Sequence, residues 1–220
     1  MAQQKTPLQT GKYYHIYNRG IDSCNIFRDI ENYEYFLGLY SKYISPVTNT
    51  LAWVLMKNHF HLLVQVLPPD RWGNLDPDLH PEGFKNLRGV GNNLRGLENP
   101  EQRINQQFSN LFNAYTKAFN KRYRRTGSLF EHSFRRKEVD TVEYLKRVIV
   151  YIHYNPVKHG FCETPSGYPW SSYNTCVSIK PTRMERETVI GWFGSTTEFI
   201  RRHNGKLETD DIEQWLELEN

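Results

Sequence analysis

The chain has 220 residues, with 28 lysines and arginines against 24 acids and a formal charge of +4. That length holds one elaborated domain, or a domain with an appendage, around a sizeable core, and an aromatic content of 14% excludes a disordered chain. No stretch nears the roughly 18 apolar residues of a membrane span, and the N-terminal "MAQQKTPLQTGKYY" lacks the apolar run of a secretion signal. No membrane partner is therefore expected. Cys24, Cys162 and Cys176 are odd in number and widely spaced. They read as free thiols of a cytoplasmic protein rather than as a zinc site.

In chain order, "YYHIYNR" (13–19) reads as a first strand and "NRGIDS" as the loop after it. Tyr33, Phe36, Leu37 and Tyr40 recur at helical spacing, which predicts a helix over 30–43. "NTLAWVLM" and "HFHLLVQV" are apolar on both faces and predict two central strands joined through Lys57 and Asn58. Residues 68–100, rich in Pro, Gly and Asn, form an insertion that is either a functional loop or a set of short helices. Asn99-Pro100 suits the cap and first turn of a long helix running to about Tyr123. "LFEHSFRRKEV" reads as a fourth strand, and 141–154 as a helix stopped by "NPVKHG". Two short helices come next, around 185–203 and 208–218. The order predicts an α+β protein on the ferredoxin-like split βαβ plan, an antiparallel sheet with helices on one face. Residues 1–180 form the main domain and 181–220 a helical, acidic C-terminal extension.

His59 and His61 lie two apart on a predicted strand, so they project from one face while Phe60 points the other way. Two imidazoles so placed can present nitrogens to one divalent ion and leave coordination positions open. Two histidines satisfied by hydrogen bonds give the same pattern, and HxH alone does not separate the two. Tyr115 falls on the apolar side of the long helix, where periodicity by itself reads it as core. His15 on the first strand reads as a hydrogen-bonded structural histidine, and Trp170 as core.

Between residues 117 and 137, Lys117, Lys121, Arg122, Arg124, Arg125, Arg135, Arg136 and Lys137 stand against Glu131 alone, interleaved with Tyr115, Phe119, Tyr123 and Phe134. Cations and aromatics together suit phosphate contact and base stacking. A solvated helix face is the plainer reading of the charge run alone. Residues 207–220 carry six acids and no lysine or arginine.

Taken together, these stretches resemble a known family. "KNHFHLLVQV" is similar to the His-hydrophobic-His motif of the single-tyrosine HUH transposases. "AYTKAFNKRYRRTGSLFEHSFRRKEV" resembles their tyrosine helix and the strand after it. "YLKRVIVYIHYNPVKHGFCETPSGYPWSSY" resembles a downstream signature of the REP-associated tyrosine transposase branch, and "YYHIYNRGID" fits its first strand. The resemblance spans about residues 10–175. It implies the HUH endonuclease fold and an enzyme of DNA transposition. Such an enzyme cuts and rejoins single-stranded DNA beside a hairpin through a 5′-phosphotyrosine, with Mg²⁺ or Mn²⁺. Carried over by position, Tyr115 is the nucleophile and His59 and His61 are metal ligands. Asn120 either completes the ligand set or contacts DNA. Arg19, Lys117, Lys121, Arg122, Arg124, Arg125, Arg135, Arg136 and Lys137 bind the DNA, and Tyr123 is the rival nucleophile. His153, Asn155, Pro156 and Gly160 match the signature and read as helix-ending structure, while His132 and His159 have no assigned role. The family implies either a monomer or a homodimer that exchanges the tyrosine helix. The 68–100 segment and the acidic extension depart from the family. The alternative is a non-catalytic hairpin-binding protein of the same fold.

Overall fold

Successive residues of the strand His59–Val66 serve two different cores, and that division organises the molecule. The computed structural model describes residues 6–73, 99–131 and 133–205. Its four strands are β1 (Tyr13–Arg19), β2 (Thr48–Leu55), β3 (His59–Val66) and β4 (Arg135–Val139). They lie in the order β2-β3-β1-β4, with every neighbouring pair antiparallel. The register sets His59 opposite Arg19, His61 opposite Tyr17 and Leu63 opposite His15. On the other side of β1, Arg135 faces Tyr17 and Lys137 faces His15. A bulge between Thr50 and Ala52 shifts the β2 register.

Helices α1 (Ile30–Tyr43) and α2 (Pro100–Arg122) cover one face. Both begin on side-chain caps: Asp29 accepts from the Asn32 N–H, and Asn99 from that of Glu101. Such caps are worth about 1 kcal/mol each. Tyr33 and Phe36 of α1, with Phe108, Phe112 and Tyr115 of α2, pack on Tyr14, Ile16, Phe60, Leu62 and Val64 of the sheet.

The opposite face is covered by α3 (Val142–Lys158), which brings Leu145, Val148, Ile149 and Ile152 onto Val54, Leu63 and Val139. Helices α4 (Tyr173–Val177), α5 (Arg186–Phe193) and α6 (Thr196–Asn204) complete that second core with Tyr173, Val189, Phe193 and Phe199. The α+β class and the antiparallel sheet are as predicted, but the helices occupy both faces rather than one. The reason lies in the strands. Because β2 and β3 are apolar on both sides, α1 and α2 leave Leu51, Val54 and Leu63 to be covered by the helices C-terminal to β4.

Element ends differ from expectation in three places. The fourth strand is short, and Phe130 makes only an isolated bridge to Gly20. α3 runs through Pro156 to Lys158. The segment expected as one helix over 185–203 is split at Gly194, whose φ of 86° breaks the turn between α5 and α6. Most of the 68–100 insertion, the helix expected at 208–218 with its acidic run, and His132 lie outside the described residues. Among the described residues the cysteines are free, and no helix is long and apolar enough to cross a membrane.

Candidate active site

The face of β3 that carries His59 and His61 is the α3 face. On α3, Tyr151 and Asn155 are four residues apart and so lie one above the other on the same side of the helix. Asn155 places its Oδ1 3.1 Å from His59 Nε2. The Tyr151 ring stands edge-on to His61, with centroids 5.4 Å apart, and 6.2 Å from the ring of His15. His159, one turn beyond Asn155, lies 5.4 Å from His59, ring to ring. On the sheet side, His61 Nδ1 is 3.0 Å from His15 Nε2, and His59 Nδ1 is 2.7 Å from Asn58 Oδ1. Tyr17 stacks on both His15 and His61.

Burial keeps these imidazoles neutral. It brings His59 down to about 4, with Arg19 and His159 opposing a positive charge and the Asn155 oxygen only partly offsetting them. Burial, with Lys137 nearby, takes His15 to about 3. His61 is held well below the ordinary histidine range by burial and by its histidine neighbours. A neutral imidazole is the form that offers a lone pair.

Tyr115 is not brought to this group. It lies on α2, in the core of the opposite face, packed among Phe27, Phe36 and Phe119. Its hydroxyl donates to the Ile26 carbonyl, and burial pushes its ionisation well above the usual tyrosine range. The expectation that this phenol meets the imidazole pair puts α2 on the wrong side of the sheet. Asn120 is also elsewhere. Its side chain donates to the Gly127 carbonyl and accepts from Arg125, closing the loop after α2. Tyr123 donates to Asp29 at 2.6 Å, at the start of α1.

The expected DNA-binding cations divide in the same way. Pleating puts Arg135 and Lys137 on the face of His15 and Tyr17, whereas Arg136 turns to α2, bonds Asn105 and stacks on Phe134. Arg122 pairs with Asp29 and Glu31, and Arg125 braces its own loop through Asn120 and Ser128. Lys117, Lys121 and Arg124 are exposed on α2 and the turn after it. Arg19 is exposed at the end of β1, opposite His59.

The fold has a solved counterpart. The chain superposes on the structure of a REP-associated tyrosine transposase bound to a REP hairpin, with a TM-score of 0.53 and 16% identity, over 82% of this chain and 89% of that one. The two share a fold. No family model matches the chain, and no curated protein matches it.

The residues present suit a divalent cation. Among the described residues no group of three or more His, Cys, Asp or Glu could hold one. An amide oxygen can serve as a further ligand beside His59 and His61. Asn155 supplies the amide. A neutral His59 has one proton for two oxygen neighbours. Given to Asn58 at 2.7 Å, that proton leaves His59 Nε2 and Asn155 Oδ1 as two lone-pair donors 3.1 Å apart. That pairing is unfavourable unless a cation or a donor group lies between them.

Tyr151 and Asn155 are the residues that reading the sequence misses. The signal is a Tyr-x-x-x-Asn spacing that crosses the end of a predicted helix. It is masked because Asn155 precedes a proline and reads as a helix stop.

Proposed function

We propose that this chain cleaves and rejoins single-stranded DNA through Tyr151, with His59, His61 and Asn155 as the ligands of Mg²⁺ or Mn²⁺. One observation carries the reading: a tyrosine and an amide, one helical turn apart, face an imidazole pair on the adjoining strand. The shared fold with a transposase seen on a REP hairpin supports hairpin-bearing DNA as the substrate. A cation bound there would polarise the scissile phosphate and offset its developing charge.

The chain's own residues account for the rest. Tyr151 is anchored on a helix packed against the sheet, so its oxygen meets a bound phosphate in a fixed direction. It attacks phosphorus, the bond to the 3′ oxygen breaks, and a 5′-phosphotyrosine forms. The departing oxygen becomes a 3′ hydroxyl by taking up the proton that the phenol has given up. The count of phosphate ester bonds is unchanged, so rejoining needs no outside energy. Arg19, Arg135 and Lys137 border the same face and suit contacts to the flanking phosphates.

The test uses end-labelled single-stranded hairpin DNA with Mn²⁺, resolved on denaturing gels. A covalent protein–DNA adduct is expected from the wild type and from Tyr115→Phe, and none from Tyr151→Phe. Retention of hairpin DNA with no adduct under any metal would leave a binding protein and overturn the enzymatic reading. An adduct that survives Tyr151→Phe would move the nucleophile elsewhere.

A further inference from the structure

We infer that Tyr144 and Phe161 are stacking platforms for unpaired bases of a single DNA strand laid along α3, one on each side of Tyr151; the inference rests on the reading of α3 as the DNA-bearing helix and adds how the strand is held. Among the described residues six large hydrophobic side chains are exposed, and four of them are aliphatic. The two aromatic ones, Tyr144 at 36% and Phe161 at 42%, belong to α3 and to the turn that ends it. Each has a cation at its ring: Arg147 lies 5.7 Å from the Tyr144 centroid, and Lys57 lies 5.3 Å from that of Phe161.

Helix geometry aligns both rings with the site. Seven residues make close to two turns, so Tyr144 falls on the same stripe of α3 as Tyr151, about 10 Å away along the axis. Arg147 and Lys158 are exposed on that stripe. At the other end of α3, Gly160 takes a φ of 71° and the Phe161 N–H returns to the Pro156 carbonyl, which folds the chain back over the last turn. Phe161 thereby meets Lys57, whose neighbour Asn58 is bonded to His59. One platform adjoins the imidazole pair, and the other stands two turns beyond the phenol. A cation beside an aromatic ring serves the phosphate and the base of one nucleotide together. A duplex already covers the faces of its bases, so open rings suit an unpaired strand. Phe119 and Phe134 also have an arginine at the ring, but both are buried and present no such surface.

The test uses the full chain carrying Tyr151→Phe without metal, so that binding is read apart from cleavage. The probe is a DNA hairpin with unpaired flanks that carry 2-aminopurine at one position at a time. Anisotropy gives affinity, and 2-aminopurine quenching reports stacking. Tyr144→Ala and Phe161→Ala are each expected to weaken binding about 5–100-fold and to relieve quenching at different flank positions. Tyr144→Phe, Phe161→Trp and Ile30→Ala are expected to bind as the parent does, with similar thermal midpoints throughout. Unchanged affinity in either alanine variant would overturn the inference, as would an equal loss on a probe whose flanks are paired. Adduct formation by the wild-type chain with unchanged binding in the alanine variants would leave cleavage through Tyr151 standing and remove the platforms. The expected binding losses in a chain that forms no adduct would uphold the platforms and remove the enzymatic reading.

Discussion

Tyr115 sits inside an aromatic cluster and gives its hydroxyl proton to a backbone carbonyl of the loop after β1. Tyr151 is half-buried at the edge of the second core, beside His61 and His15. The same residue type therefore stands in two unlike surroundings. Replacing Tyr115 by Phe keeps the ring and removes one buried hydrogen bond, so a loss of about 1–2 kcal/mol of stability is expected, with adduct formation intact. Urea unfolding together with the gel assay checks both halves. A stable Tyr115→Phe protein unable to form the adduct would return the chemistry to α2. The residue level is where the sequence misleads most. Periodicity correctly assigns Tyr115 to an apolar helix face. Nothing in periodicity says which side of the sheet that helix will cover when β2 and β3 are apolar on both sides. His59 and His61 are legible because strand alternation alone sets them on one face. Their partners are not, because those come from an element about 90 residues away along the chain.

Most element boundaries are legible: β1, α1, β3 and α2 fall where alternation, helical spacing and the Asn99-Pro100 cap place them. The end of α3 is not. Pro156 reads as a stop, yet the helix continues to Lys158. A proline near the last turn forfeits one hydrogen bond, and burial of Ile152, His153, Asn155 and Pro156 compensates. That last turn carries Asn155, so the extension is what places an amide beside His59. It also bears on assembly. α3 packs on its own sheet, with Ile149 and Ile152 in the same core as Val54 and Leu63. His59, His61, Tyr151 and Asn155 are then brought together within one chain. Mixing Tyr151→Phe protein with His59→Ala protein is accordingly expected to give no adduct, since each chain spoils its own site. Activity recovered in the mixture, rising with the concentration of the second variant, would mean that the helix crosses between chains.

At the scale of the whole molecule, α3 and the C-terminal helices are tied to the sheet edge through a proton-ordered chain. His203 Nδ1 donates to the Phe199 carbonyl at 2.7 Å, which leaves its Nε2 to accept from His153 Nδ1 at 2.9 Å. His153 Nε2 then accepts from the Ser172 hydroxyl at 2.7 Å, and that oxygen accepts from the Trp53 N–H of β2. Each neutral ring uses its single proton once, so a further proton on His203 Nε2 sets two N–H groups against each other. Burial lowers His203 from 6.5 to about 4 and holds His153 well below its ordinary range. These are bases whose folded values are depressed. The unfolded chain binds protons below about pH 6.5 that the folded chain refuses until about pH 4. Stability is thus complete above that window and declines as the pH falls through it. The drop from 6.5 to about 4 for His203 alone corresponds to a loss on the order of 3 kcal/mol at the acid end, and His15 and His59 act in the same direction. Urea unfolding is therefore expected to show a marked fall in stability between about pH 6.5 and 4. Amide exchange in α5 and α6 should rise before that of α1 and α2, because the ordered chain secures only the second core. A flat stability profile over that range, or uniform exchange across both cores, would mean that the histidine chain does not hold the C-terminal helices in place.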